Sequence, residues 1–246
     1  MIATGRGQNL TYSIAEDLGV AIVTGTYSSK KPFPVEGELC RRYGVSRSIL
    51  REAVKMLTAK GLLDSRPRRG TWVQDEDRWN LLDPDVLRWM LERKFSFSLL
   101  IEFSQVRLAI EPKAAALAAV AAGPAEKAAI AAAIQAMVEA ERTHDDPLEP
   151  DIAFHVAILR ASRNGFYSRL SELTEAALRF SIRMTNRQTG VRSVPEHKKV
   201  ADAILAGDAK RAETAMRVLV SDALEQIRKA EQSGAPRERA AKTSRG

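Results

Sequence analysis

Two arginines, Arg47 and Arg51, stand four residues apart in VSRSILREAVKMLTAKGLL, residues 45–63. On a helix that spacing puts both guanidinium groups on one side, while Val54 and Leu57 continue at helical spacing on another. The ordinary reading is the solvated, charged face of an amphipathic helix. The chemical reading uses arginine's planar fork, which bonds guanine O6 and N7 together or clamps a phosphate. A second constellation lies in the rear half, where His155 follows Asp151 by one helical turn and His197 begins another helical stretch behind SVPE. One carboxylate and two imidazoles from two helices suit Zn²⁺, Ni²⁺ or Mn²⁺, although an Asp/His pair at this spacing equally makes a plain hydrogen bond. His144, in a polar loop, reads as surface. Arg107, in QVRLAIEP, sits among apolar residues, where burial demands an anionic partner. Glu111, one turn later, can supply it, and the carboxylate of a small ligand is the alternative.

The flanking chain predicts the elements that must hold these groups. Ile14, Leu18, Ala21 and Ile22 recur at helical spacing and give a first helix within residues 11–24, ending near Gly25. VEGELCRRY supplies a short second helix with Leu39 and Tyr43 inward, stopped at Gly44. Ser46 reads as the N-cap of a third helix, its hydroxyl accepting from a first-turn N–H, and Gly61 closes that helix after about Lys60. LLDSRPRRGTWV then holds two short apolar stretches around a Pro/Arg/Gly turn, a β-hairpin. Three helices, a tight turn before the third and a closing hairpin predict a winged helix-turn-helix. In such a motif the start of the recognition helix enters the major groove, and Arg47, Ser48 and Arg51 are the side chains there. Arg68 and Arg69, before Gly70, occupy the hairpin tip within reach of the minor groove or backbone.

Past Trp79 the strand signals end. Asp83 reads as an N-cap with Pro84 at the first helical position, and helical stretches follow over about 98–122, 125–142, 149–161, 165–186, 193–206 and 209–231. The expected fold is mainly α: a winged helix-turn-helix over 1–77 and an all-α helical bundle over 78–231, with a disordered basic tail over 232–246.

Charge divides along the same lines. Residues 1–75 carry 12 Lys and Arg against 7 Asp and Glu, a net +5; residues 76–227 carry 20 against 22, a net −2. A basic front on a slightly acidic middle implies a polyanion-binding module joined to a unit with another task. The single cysteine, Cys40, excludes an intrachain disulfide framework and a zinc ribbon, and suits a reducing cytosol. Neither a signal peptide nor a long apolar span is visible, so the expected setting is cytoplasmic, with no membrane. No Ser/His/Asp arrangement, glycine-rich phosphate loop or general base beside the donor set argues for an enzyme.

These residues lie in a chain that resembles the GntR family of bacterial transcription regulators, in the FadR-type branch with a C-terminal helical effector (FCD) domain. The resemblance rests on FPVEGELCRRYGVSRSILREAVKMLTAKGLL with RRGTWV in front, and on VRLAIEPKAAALAA, DIAFHVAILRASRNG and EHKKVADAILAGDAKRAETAM behind. The stretch WNLLDPDVLRWMLE is similar to that of galactonate-operon repressors in this branch. The resemblance implies that Arg47, Ser48, Arg51 and Gly70 belong to the operator-contacting set, that Asp151, His155 and His197 are metal ligands, and that Arg107 and Ser193 face an effector. Two departures stand out. Val35 replaces the small or polar residue usual after the proline, and Leu219 falls where the pattern has a further histidine.

An ion held by three protein ligands would leave positions for water or the oxygens of a hydroxy acid, with Arg107 neutralising its charge. The alternative has no ion, and the two histidines bind the ligand directly. The implied protein is a repressor acting as a homodimer on double-stranded operator DNA, since one recognition helix reads few base pairs, and it responds to a small carboxylate such as a sugar acid. A ligand-independent regulator with a vestigial pocket, or a metal-dependent enzyme fused to a DNA-binding head, are the competing expectations.

Overall fold

A computed structural model describes residues 4–66, 68–93, 96–189 and 194–233. The chain folds as two compact units, Met1–Phe95 and Ser96–Gly246.

The first unit is a winged helix-turn-helix with an added helix. α1 (Thr4–Val23) buries Ile14, Leu18 and Ile22 against Leu50 and Leu57 of α3 (Arg47–Ala59) and Leu39 of α2 (Glu36–Tyr43). α2 stops at Gly44, whose φ of 63° lies in the left-handed region and whose amide donates to the Cys40 carbonyl. Ser46 has the extended backbone of an N-cap, but its hydroxyl pairs with the Ser48 hydroxyl at 2.9 Å and caps no backbone amide. The expected cap is absent, and the hydroxyl is turned to the Ser48 side chain instead of a first-turn amide. β1 (Leu63–Arg66) and β2 (Gly70–Val73) pair antiparallel, Leu63 opposite Val73 and Arg66 opposite Gly70.

α4 (Pro84–Arg93) also belongs to this unit. The Asp83 carboxylate starts it, accepting from the amides of Asp85 and Val86 at 3.0 and 3.3 Å. Trp89 packs so closely on α1 that a methyl group at Gly19 would overlap its ring. Lys60, just past α3, donates to both Asp83 oxygens at 2.8 Å and to Asp85 at 2.9 Å. Arg88 forks onto Glu16 of α1 at 2.8 and 2.6 Å, and the Tyr12 hydroxyl donates to Asp85 at 2.8 Å. The change of composition near residue 78 therefore precedes the structural boundary, which lies at 95/96.

The second unit is all-α: α5 (Phe97–Ala121), α6 (Pro124–Thr143), α7 (Leu148–Ala161), α8 (Gly165–Arg169), α9 (Ser171–Thr189), α10 (Val194–Leu205) and α11 (Ala209–Gln232). The single helix expected over 165–186 is two, divided at Leu170. α5 runs along α11, where Ala114, Ala115, Ala118 and Ala119 share one core with Ala212, Met216 and Val220. Small side chains let two long helices approach closely. Among the buried positions of α5, Leu100, Ser104, Arg107, Glu111, Ala114 and Ala118 recur every three or four residues. Helical periodicity thus draws two ionised side chains into the core stripe. No described helix is long and apolar enough to cross a membrane.

Candidate nucleic-acid interface and buried donor site

Arg47 and Arg51 project from the start of α3 with side chains 75% and 64% exposed. Both face Glu36, the first residue of α2. Arg51 donates through Nε and Nη2 to the two carboxylate oxygens at 2.9 and 3.2 Å, while Arg47 Nε stands 3.6 Å from Oε1. The hydrogen bonds from Arg51 hold the Glu36 carboxyl below the usual carboxylate range. At the hairpin tip Arg68 takes a φ of 66°, which a side chain adopts at a cost, and Gly70 takes 82°, which glycine adopts freely. Arg69 stacks on Trp72 with its guanidinium carbon 5.0 Å from the ring centroid, and Arg66 does so at 5.8 Å. A cleft between α3 and the hairpin is lined by Arg51, Lys55, Arg66 and Gly70. The structure thus gathers Arg47, Ser48 and Arg51 on one helix end and Arg68, Arg69 and Gly70 on one turn. Glu36 and Arg66 stand beside them. Nothing in PVEGEL marked Glu36 as more than a helix former, because its partners lie on the next helix.

The second site is buried among α5, α7 and α10. Asp151 and His155 come from α7 and His197 from α10; the histidines are 3% and 2% exposed. Nε2 of His155 and Nε2 of His197 each lie 3.4 Å from Oδ1 of Asp151, and one donor atom from each residue falls within 4.8 Å of the others. Behind them, Glu111 accepts from Arg107 Nε at 2.6 Å and Nη2 at 3.2 Å, and lies 2.7 Å from His155 Nδ1. Arg107 Nη2 also stands 3.4 and 3.5 Å from the two ring nitrogens of His155. Glu111, one of the two partners the sequence allowed Arg107, is in contact with it.

Charge balance follows from these contacts. Burial opposes ionisation of Glu111, but Arg107 and His155 more than offset it and bring its pKa down to about 2. Burial likewise opposes the Asp151 carboxylate, and the facing imidazoles outweigh it, holding Asp151 below the carboxylate range. For His155 burial favours the neutral ring, yet the Glu111 carboxylate prevails and the pKa is raised.

These residues fit a divalent ion. Three donors of the right chemistry converge, and the Glu111 carboxylate on Nδ1 of His155 leaves Nε2 directed at Asp151, the support that metal-binding imidazoles commonly have. Leu219, buried on α11 with Phe154 and Val194 in one apolar cluster, supplies no donor. His144 is an exposed left-handed residue closing α6, as surface as its loop suggested. Ser193 lies outside the described residues.

Residues 10–73 match the family described as bacterial regulatory proteins, gntR family, and residues 102–222 match the FCD domain. The chain is 32% identical over 223 residues to the galactonate operon transcriptional repressor of Escherichia coli (strain K12), covering 89% of this chain and 97% of that one. It is 33% identical over 216 residues to the HTH-type transcriptional regulator YieP of the same organism, covering 87% and 93%. Among solved structures, a GntR regulator from Rhodococcus sp. RHA1 aligns with a TM-score of 0.50 at 21% identity, over 92% of this chain and 99% of that one. Lar, which controls expression of the Listeria monocytogenes agr system, aligns with a TM-score of 0.54 at 18% identity over 89% and 96%. The two structures share the fold, and the sequence relatives share more. The chain belongs to the GntR family: it is a DNA-binding transcriptional regulator carrying an FCD effector domain, and not an enzyme.

Proposed function

We propose that this regulator is a homodimeric repressor whose helical unit binds a small carboxylate, a sugar acid, with the help of a divalent ion, Zn²⁺, Ni²⁺ or Mn²⁺. The observation that carries this reading is the convergence of Asp151, His155 and His197 inside the effector domain. When bound, the ion would supply Lewis-acid coordination for a hydroxy acid's oxygens. This chain's residues do the rest. Glu111 holds Nδ1 of His155 and so orients the ring, while Arg107 places a positive charge beside the site, partly neutralised by Glu111. With Leu219 offering no donor, an ion held by Asp151, His155 and His197 would have coordination positions left for ligand oxygens. A relative named a galactonate operon repressor makes galactonate the first sugar acid to try. Arg47, Ser48 and Arg51 read the major groove, and Arg68, Arg69 and Gly70 bring the hairpin to the adjoining backbone or minor groove. The proposed setting is the cytoplasm.

Native mass spectrometry of the purified protein, with metal analysis, should find one divalent ion per chain that is lost in Asp151→Ala. Operator affinity should change with galactonate or another sugar acid, because a ligand bound equally by both states of the protein would shift nothing. Equal affinity across the whole sugar-acid panel would leave the vestigial-pocket alternative standing. Replacing both Arg47 and Arg51 by alanine should lower the salt slope of DNA binding by about 1.8, at ~0.9 per phosphate-bound charge, or abolish discrimination between sequences where the contacts are to bases.

A further inference from the structure

We infer that Glu36 is a specificity-determining positioning residue for DNA recognition: it orients Arg51 for base contact and suppresses indiscriminate binding to phosphates. This rests on the reading that the start of α3 faces DNA. Arginine has two edges that can form paired hydrogen bonds, Nε/Nη2 and Nη1/Nη2. Glu36 occupies the first with both oxygens, at 2.9 and 3.2 Å. The second is left as a fork at the tip of a side chain that is 64% exposed. A guanidinium held on one edge loses less conformational freedom when the other meets guanine O6 and N7. The same carboxylate lies 3.6 Å from Arg47 Nε, so two cations share one anion and the three groups carry a net charge of +1 rather than +2. Backbone phosphate attracts charge without regard to sequence, and a carboxylate on this face lowers that attraction for every duplex alike. Glu36 itself touches no base in this scheme. It stands at the first position of α2, where the positive helix end favours a carboxylate and the preceding Val35 makes no side-chain cap.

In the test, selection from a randomised duplex library with the parent protein defines a preferred duplex, and a scrambled version of it is the control. Fluorescence anisotropy then measures affinity for both across a salt series. Glu36→Gln should bind the scrambled duplex more tightly, with a salt slope steeper by about 0.9 for each arginine released to phosphate. Its preferred-to-scrambled ratio should fall on the order of tenfold, the scale of one bidentate base contact. Glu36→Asp keeps the charge but is a methylene too short to hold the fork. It should keep the parent's slope and still lose discrimination, which separates orientation from charge. Ratio and slope matching the parent in both variants would overturn the inference. Arg51→Ala examines the underlying reading: unchanged affinity for both duplexes removes α3 from the DNA face and takes the role of Glu36 with it.

Discussion

Arg107 and Glu111 are both ionised inside a helical core, with side chains 5% and 3% exposed. Neither survives there without the other, because an isolated charge at that depth keeps its full desolvation cost. Glu111→Ala leaves Arg107 without its counter-charge and His155 without its Nδ1 partner, and is expected to destabilise the second unit by about 3–5 kcal/mol. Replacing both members together, Arg107→Met with Glu111→Leu, should cost far less. Urea unfolding followed by far-ultraviolet circular dichroism compares them, and a loss below about 1 kcal/mol for Glu111→Ala would mean that Arg107 has another anion. How much of the site could be read beforehand follows from chain separation. The pairs Arg107/Glu111 and Asp151/His155 are each one helical turn apart, so periodicity alone brings them together. The link from Glu111 to His155 spans 44 residues, and that from Glu36 to Arg51 spans 15. Such contacts depend on how helices pack, which residue spacing within one helix does not encode.

At the scale of elements, local chemistry set most boundaries. Pro84 behind Asp83, Asp208 accepting from the Arg211 amide at 2.9 Å, and Gly44 in the left-handed region each mark an end through groups a few residues away. The allegiance of α4 was not legible in this way, since Tyr12 meets Asp85 across 73 residues and Arg88 meets Glu16 across 72. The Asp85 carboxyl is pushed up by burial, but hydrogen bonds from Lys60, Tyr12 and Arg88 prevail and its pKa is lowered. A carboxylate with a lowered native pKa contributes stability above its unfolded value, roughly 3.9, and loses that contribution as pH falls through the native value. Asp85→Asn should therefore cost about 1–2 kcal/mol at neutral pH, allowing for partial exposure, and the gap to the parent should close as pH drops from about 5 to 3. All three tryptophans, Trp72, Trp79 and Trp89, lie in the first unit, so selectively excited tryptophan fluorescence during urea unfolding follows that unit. A gap that stays constant over this pH range would show that the cluster holds α4 by packing and not by charge.

For the whole molecule, the charge division is the physical basis of its two tasks. A front with net +5 is drawn to a polyanion, and a middle segment with net −2 is not. Attraction of this kind supplies affinity without sequence information, and in the proposed reading one α3 offers Arg47, Ser48 and Arg51 to base edges. Three side chains at one helix end discriminate over a few base pairs, too few to single out one site in a genome, which is why the proposed repressor acts as two copies on a two-fold operator. Joining two half-site contacts multiplies affinity only where their geometry permits both at once. Inserting five base pairs between the half-sites of a selected operator turns them to opposite faces of the duplex, and affinity should fall by about 100-fold or more while half-site affinity is unchanged. Restoring the phase with ten base pairs need not recover it, because the second half-site then lies a full turn further away. Sedimentation equilibrium at the concentrations of the binding assay should give twice the monomer mass. A monomer that binds an isolated half-site as tightly as the full operator would remove the dimer from this scheme, and sequence selection would then rest on the hairpin arginines and on DNA shape.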